Sequence, residues 1–226
     1  MWKSLISALF SEDNLYIQAL KESYQMLDMD LVMYEAAVES LRHSDTGDIS
    51  LDVYDLDQQI NAYEQDVRKK IITHLSVTGA SDLAPGLALI SVVIDIERIG
   101  DYTKNICDMA RHHPKRLNAE PLEKQLQEVE TGVTQVFKDM IQAFENSDEV
   151  SARQIMTDYK ETISGSCDEI TFKLVGGQEV IASPADAAAV ALYARFLKRI
   201  AAHSRNIITS VVNPFDRIGY KYQDVD

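Results

Sequence analysis

Six long stretches of this chain repeat apolar residues every three or four positions, and short polar or glycine-containing turns separate them. This spacing predicts amphipathic helices. In the first predicted helix, at about 13–41, the stripe is Ile17, Leu20, Tyr24, Leu27, Leu31, Tyr34 and Ala37. In the second, at about 51–77, it includes Leu56, Ile60, Tyr63, Val67, Ile71 and Leu75. The whole chain has only 9 glycines and 5 prolines, too few turn residues for a sandwich or barrel.

The other four helices are predicted at about 82–111, 121–144, 149–174 and from 184 to just before Pro214. Ser50, Ser81 and Ser183 are predicted N-terminal caps, and the run 147–149 is predicted to cap the fifth helix. Short connections between long helices place successive helices antiparallel. The chain is therefore predicted to be all-α, with two tandem three-helix bundles over residues 1–114 and 115–226.

An internal repeat supports this division. A shift of the sequence by 101 positions places Arg98-Ile99 on Arg199-Ile200 and Asn105-Ile106 on Asn206-Ile207. The same shift places Asp57 on Asp158. Several matches at one offset, on helices of the same rank, indicate duplication of a single unit.

Composition makes some classes of function unfavourable. Asp and Glu total 36 against 22 Lys and Arg, giving a net charge of −14, and such a surface repels nucleic-acid phosphates. No apolar run approaches the ~20 residues that span a bilayer. The apolar start at 1–10 is interpreted as a docking segment on the body of the protein, with a weak membrane-surface contact as the alternative. Cys107 and Cys167 lack metal-type spacing, which favours a reduced, cytoplasmic setting.

The third predicted helix carries an acidic stripe. Its core face is predicted to be Leu89, Val92, Ile96, Ile99, Thr103, Ile106 and Ala110. On a second face Glu97 and Asp101 lie one turn apart, so their carboxylates repel each other. A divalent cation would offset that repulsion, since carboxylate oxygens are its natural ligands. Gly100, between them, is expected to mark the close approach of another helix.

The second predicted helix offers a matching pair. Asp57 and Asn61 are also one turn apart, and this helix runs antiparallel to the third. The two pairs can therefore face each other and supply four oxygen-bearing side chains. The spacing permits a metal site at Asp57, Asn61, Glu97 and Asp101, and it equally permits a solvated acidic face.

The segment from Asp95 to Asp101 reads D-I-E-R-I-G-D and is followed by Asn105-Ile106. Together with the length, the six helices and the duplication, it resembles the PhoU family of bacterial phosphate-signalling accessory proteins. The resemblance implies a non-enzymatic negative regulator that links a phosphate transporter to a membrane sensor kinase and often forms dimers. It also implies a bound metal, iron or zinc, with magnesium or calcium as alternatives.

The second repeat departs from the family pattern. Lys198 stands where Glu97 stands in the first repeat, Ala202 replaces Asp101, and Thr162 replaces Asn61. We therefore predict metal in the first repeat only. The departure also leaves room for a divergent relative that serves an ion-coupled phosphate carrier.

Two further functions stay open on the residues alone. One is an all-α, Mg²⁺-dependent nucleotide pyrophosphohydrolase, although Glu97 and Asp101 do not match the E-x-x-E spacing of such enzymes. The other is a purely structural interaction module with a solvated acidic stripe. His203 is interpreted as a surface histidine or one that hydrogen-bonds between helices.

Overall fold

The computed structural model describes residues 14–113 and 115–222, apart from the side chains of residues 158 and 160–162. The described residues contain no strand. The first bundle consists of α1 (Leu15–His43), α2 (Val53–Thr78) and α3 (Leu83–His112). The second consists of α4 (Glu123–Asn146), α5 (Glu149–Asp158), α6 (Gly165–Val175) and α7 (Pro184–Val212). The predicted all-α fold of tandem three-helix bundles is confirmed.

The predicted fifth helix is not uniform. A π-helical segment, Tyr159–Ser164, separates α5 from α6, so one helical rod contains two α-helical parts. Asp158 and Thr162, the counterparts of Asp57 and Asn61, lie at this irregularity. The sequence prediction described this stretch as one continuous α-helix and did not include the π-helical segment, which is a rare feature within α-helices.

The helix starts follow local hydrogen bonding. Ser183 caps α7 as predicted, with its Oγ accepting from Asp186 N at 3.2 Å. The cap predicted at Ser50 is wrong, since Asp52 accepts from Asp55 N at 3.1 Å instead. The cap predicted at Ser81 is also wrong, because a 3₁₀ turn, Gly79–Asp82, precedes α3 and no side chain caps it. The first ten residues lie outside the described part.

The core face predicted for the third helix is confirmed, because all of its residues, from Leu89 to Ala110, are buried. α3 packs against α1 and α2 on one side and α7 on the other. One window within Val53–His112 is long and apolar enough to cross a membrane on length and composition alone, with mean hydropathy 1.7. A core helix of a bundle passes the same test of length and composition, so this window does not contradict the expectation that no apolar run is long enough to span a bilayer.

Both cysteines are free and buried. Burial raises the pKa of each thiol to about 12. A thiol with so high a pKa carries almost no thiolate at neutral pH and is a poor metal ligand or nucleophile. Cys107 and Cys167 therefore act as small apolar core residues.

Candidate metal centre

The antiparallel packing of α2 and α3 brings two of the predicted acidic residues, Asp57 and Asp101, to one lysine side chain. Lys104 on α3 donates from Nζ to Asp57 Oδ1 on α2 at 2.8 Å and to Asp101 Oδ1 at 3.4 Å. Asn61 Nδ2 lies 3.5 Å from Asp57 Oδ2. The structure thus places Asp57 and Asp101 around one point, and that point holds an ammonium group.

Two cations accompany the acidic residues. Arg98 reaches Asp101 Oδ2 at 3.1 Å and Glu97 Oε2 at 3.5 Å, with its own side chain 53% exposed. Lys104 is 24% exposed. Burial lowers the pKa of Lys104, but its hydrogen bond and charge interaction with Asp57 outweigh burial and raise that pKa overall. Arg98 therefore screens the stripe from the solvent side, and Lys104 neutralises it from within.

A carboxylate that the sequence argument did not include lies beneath these residues. Asp30 on α1 is fully buried, and neither of its carboxylate oxygens has a hydrogen-bond partner among the described residues. Burial raises its pKa well above the usual range, and the charges of Glu97, Asp57 and Asp101 raise it further. An unpartnered buried carboxylate is costly, so Asp30 marks a place where a cation would be stabilised.

Gly100 lets Asp30 approach α3. A Cβ built at Gly100 would lie 2.7 Å from Asp30 Oδ1 and 3.5 Å from Ile60 Cδ1. The predicted close approach of another helix at Gly100 is therefore found, and the helix is α1. Asp30 Oδ1 points at the backbone between Glu97 and Asp101.

We expect Gly100→Ala to destabilise the protein by about 1–3 kcal/mol, as overpacking a full core does. The new methyl group must displace the side chain of Asp30, which is fully buried and can move only by displacing its neighbours. Urea denaturation measures the change. Gly165→Ala is the matched control, because Gly165 is helical and no atom lies within 4 Å of its Cβ position. That control should be neutral or slightly stabilising; equal losses in both variants would refute the steric argument.

The donor set fits a hard cation in its chemistry. The donors of Asp30, Asp57, Glu97 and Asp101 are all carboxylate oxygens. Arg98 and Lys104 contact the last three of these residues, and neither contacts Asp30. In the described part of the chain no three His, Cys, Asp or Glu side chains converge closely enough to hold a metal ion. Lys104 Nζ contacts both Asp57 and Asp101, so an ammonium group lies between these two carboxylates.

The second bundle has a different arrangement at the corresponding place. Lys198, the counterpart of Glu97, forms an ion pair with Asp168 Oδ2 on α6 at 2.5 Å. Ala201, the counterpart of Gly100, is buried. The counterpart of Asp57 lies next to the π-helical segment. This face offers an ammonium group where the first bundle offers a carboxylate.

A polar network joins α3 to α7, and it contains His203. Asp95 Oδ1 accepts from Asn206 Nδ2 at 3.2 Å and lies 2.6 Å from His203 Nδ1. Arg199 can only donate, so its contact with His203 Nε2 at 3.3 Å assigns the ring proton to Nδ1. His203 therefore donates to Asp95, and the interpretation as an interhelix hydrogen-bonding residue is confirmed.

The residues of the same network correspond to one another under the internal duplication. Tyr102 stacks on His203 with ring centroids 5.7 Å apart and lies 6.2 Å from the ring of Phe196. A shift of 101 exchanges Tyr102 with His203 and Asp95 with Phe196. The pair Asp95–His203 therefore corresponds to the pair Phe196–Tyr102. One contact is polar and the other aromatic, so the two repeats have diverged at their shared interface.

Sequence reasoning missed Asp30 and Lys104. The signal for Asp30 was available, because it lies within the apolar stripe of α1 between Leu27 and Tyr34, at a position that the helical period assigns to the core. No such signal marks Lys104. Its role depends on which rotamer crosses from α3 to α2.

Comparison with known proteins gives a consistent result. The PhoU domain family model matches twice, at residues 24–110 and 126–211. The crystal structure of PhoU from Pseudomonas aeruginosa is similar, with a TM-score of 0.78 and 22% identity over 89% of this chain and 97% of that one. The phosphate transport system regulatory protein PhoU from Streptococcus pneumoniae has a TM-score of 0.74 and 17% identity, over 87% and 93%. Comparison with curated proteins finds no match.

Proposed function

The chain belongs to the PhoU family, and from this premise we propose that it is a non-enzymatic regulator of phosphate uptake or signalling. We propose further that it binds a metal ion on the first bundle through Asp57, Asn61, Glu97 and Asp101. The observation that carries the metal proposal is Asp30, a fully buried carboxylate without a partner among the described residues that lies against this group. Asp30 adds a fifth oxygen-bearing side chain to it.

The donor chemistry supports some metals over others. Every candidate ligand is an oxygen, which suits iron(III), manganese, magnesium or calcium better than zinc, whose protein sites usually include nitrogen or sulfur. When bound, such an ion supplies positive charge and fixed coordination directions. Asp30, Asp57 and Glu97 come from three different helices, so holding one ion would tie α1, α2 and α3 together.

The proposed partner is a membrane protein, either a phosphate transporter or a sensor kinase, and the proposed assembly is a homodimer in the cytoplasm. Family membership supports these proposals. A regulator that serves an ion-coupled phosphate carrier is the variant favoured by the second repeat, where Lys198 and Ala202 stand in place of a carboxylate pair. Both variants share the proposed role in phosphate uptake.

Phosphate uptake in cells tests this role. In the organism that encodes the chain, we expect deletion of its gene to change the rate of phosphate uptake, and the wild-type gene to restore it. The Glu97→Gln, Asp101→Asn double variant should fail to restore it, while a control that removes two exposed charges at the same spacing, Glu35→Gln with Glu39→Gln, should succeed. Unchanged uptake after deletion would overturn the proposed function.

The alternative enzyme, a nucleotide pyrophosphohydrolase, makes an opposite prediction. Such enzymes use several convergent carboxylates with metals that bridge the phosphates, whereas Lys104 separates Asp57 from Asp101 here. We expect no hydrolysis of nucleoside triphosphates with Mg²⁺ or Mn²⁺ present. Turnover that disappears in the Glu97→Gln, Asp101→Asn variant would favour the enzyme instead.

A further inference from the structure

We propose that Lys104 is a tethered counter-ion of the metal centre, which occupies the position of the cation in the metal-free protein and must leave when an ion binds. This proposal rests on the proposed metal site and concerns its regulation. It makes cation binding an exchange of one positive charge for another, rather than the filling of an open site.

Lys104 lies where a metal ion bridging α2 and α3 would bind. Its Nζ is shared by two carboxylates from different helices, Asp57 Oδ1 on α2 at 2.8 Å and Asp101 Oδ1 on α3 at 3.4 Å. A metal ion would bind the same oxygens at roughly 2.0–2.6 Å. The ion and the ammonium group cannot both fit between these two oxygens, so one must displace the other.

The surrounding charges show why one ammonium group is an incomplete substitute. Lys104 is a single charge with three donors, and Asp57 and Asp101 already use two of them. Asp30, beneath them, still has no hydrogen-bond partner within the described residues. A metal ion takes more oxygen ligands than the two that Lys104 contacts, so it would bind Asp30 as well, and this difference provides the driving force for exchange.

The exchange has two consequences. In the metal-free protein, Lys104 prevents Asp57 and Asp101 from repelling each other, so α2 and α3 stay packed without metal. Metal affinity is lower than the carboxylates alone would give, because breaking the Lys104 contacts opposes binding. The site thus responds to higher cation concentrations than an equivalent site without the lysine.

Isothermal titration of the metal-free, full-length protein with Mn²⁺ tests the proposal. We expect Lys104→Gln to bind Mn²⁺ about tenfold more tightly than wild type, since tenfold corresponds to about 1.4 kcal/mol and a hydrogen bond to a charged group contributes about that much. Without metal, Lys104→Gln should melt at a lower temperature than wild type, and Mn²⁺ should raise that melting temperature more than it raises that of wild type.

Lys70→Gln is the matched control. Lys70 lies on α2 of the same bundle and also pairs with two carboxylates, those of Glu22 and Asp66, so its removal changes the net charge equally. Its Mn²⁺ affinity should stay within about twofold of wild type. Residues 57 and 70 of α2 are about 20 Å apart along the helix at 1.5 Å per residue, and charges separated by more than a Debye length are largely screened. Equal tightening in Lys70→Gln would mean a general charge effect and would overturn the proposal.

The remaining outcomes separate the exchange from the metal site itself. If wild type binds Mn²⁺ and Lys104→Gln binds it no more tightly, the exchange is wrong and the metal site stands. If neither protein binds Mn²⁺, the metal site is wrong and the exchange fails with it. If only Lys104→Gln binds, the exchange stands in its strongest form, with the lysine outcompeting the ion in wild type.

Discussion

Replacing Arg42 with alanine is expected to destabilise the protein by about 3–5 kcal/mol, the cost of removing one partner from a buried ion pair. Arg42 is at the end of α1 and is buried. Its Nε donates to Glu130 Oε1 at 2.6 Å, its Nη2 contacts Glu123 Oε1, and its Nη1 donates to Leu117 O at 2.9 Å. One guanidinium group thus joins the first bundle to α4 and to the connection before it.

The expected loss of stability is large because Arg42→Ala leaves buried groups without their partner. Glu130 is mostly buried, and burial raises the pKa of its carboxyl group even with Arg42 present. Without Arg42 the Glu123 and Glu130 carboxylates face each other, and Leu117 O loses its donor. Guanidinium denaturation measures the loss, and adding Glu123→Gln and Glu130→Gln to the Arg42 variant should recover part of it.

Lys138→Ala is the control for Arg42. Lys138 on α4 pairs with Glu35 on α1 at 2.7 Å, so it joins the same two helices, but both side chains are about half exposed. Exposed pairs contribute about 0–1 kcal/mol. Similar losses for Arg42→Ala and Lys138→Ala would show that burial does not determine the contribution of these ion pairs.

Asp95→Ala is the second variant with a large expected effect, a loss of about 1.5–3 kcal/mol, the contribution of hydrogen bonds to a charged group. Asp95 accepts from His203 and Asn206 across the contact between α3 and α7. Its removal leaves the His203 Nδ1–H without its acceptor in a buried position. Thermal unfolding, followed by circular dichroism, provides the measurement.

Two further variants test whether the loss in Asp95→Ala comes from its charge and its position. Asp95→Asn keeps an acceptor oxygen without the charge, so its loss should fall between that of wild type and that of alanine. Asp139→Ala removes a partly exposed aspartate of α4 that has a helical partner, Gln135, at 2.8 Å, and it should change stability by less than about 0.5 kcal/mol, as surface substitutions do. An Asp95→Ala protein as stable as Asp139→Ala would mean that the two bundles do not depend on this network.

The fold could be predicted because its signal is periodic and repeated. The apolar stripe of α3 correctly identified its buried face, and the offset of 101 separated two equivalent units. The details that failed depend on local competition between nearby groups. Ser50 and Asp52 could each cap α2, and only the backbone conformation selects Asp52. The π-helical segment contacts α4 and α7, and the sequence prediction had described this stretch as continuous α-helix.

The candidate site could be predicted only in part. Pairs one turn apart on adjacent helices correctly indicated that Asp57 and Asp101 come together, because helix geometry fixes those directions. Asp30 comes from α1, and its contact with Gly100 depends on how closely α1 and α3 pack. The position of Lys104 depends on a flexible side chain that chooses between solvent and two carboxylates. Tertiary packing decides both.

The central claim is that a metal ion binds the first bundle and not the second. Elemental analysis tests it most directly, on protein equilibrated with Mn²⁺ or iron and then desalted. Wild type and the Glu35→Gln, Glu39→Gln control should retain metal, and the Glu97→Gln, Asp101→Asn variant should retain none. Metal-free wild type, or undiminished metal in the Glu97→Gln, Asp101→Asn variant, would contradict the claim.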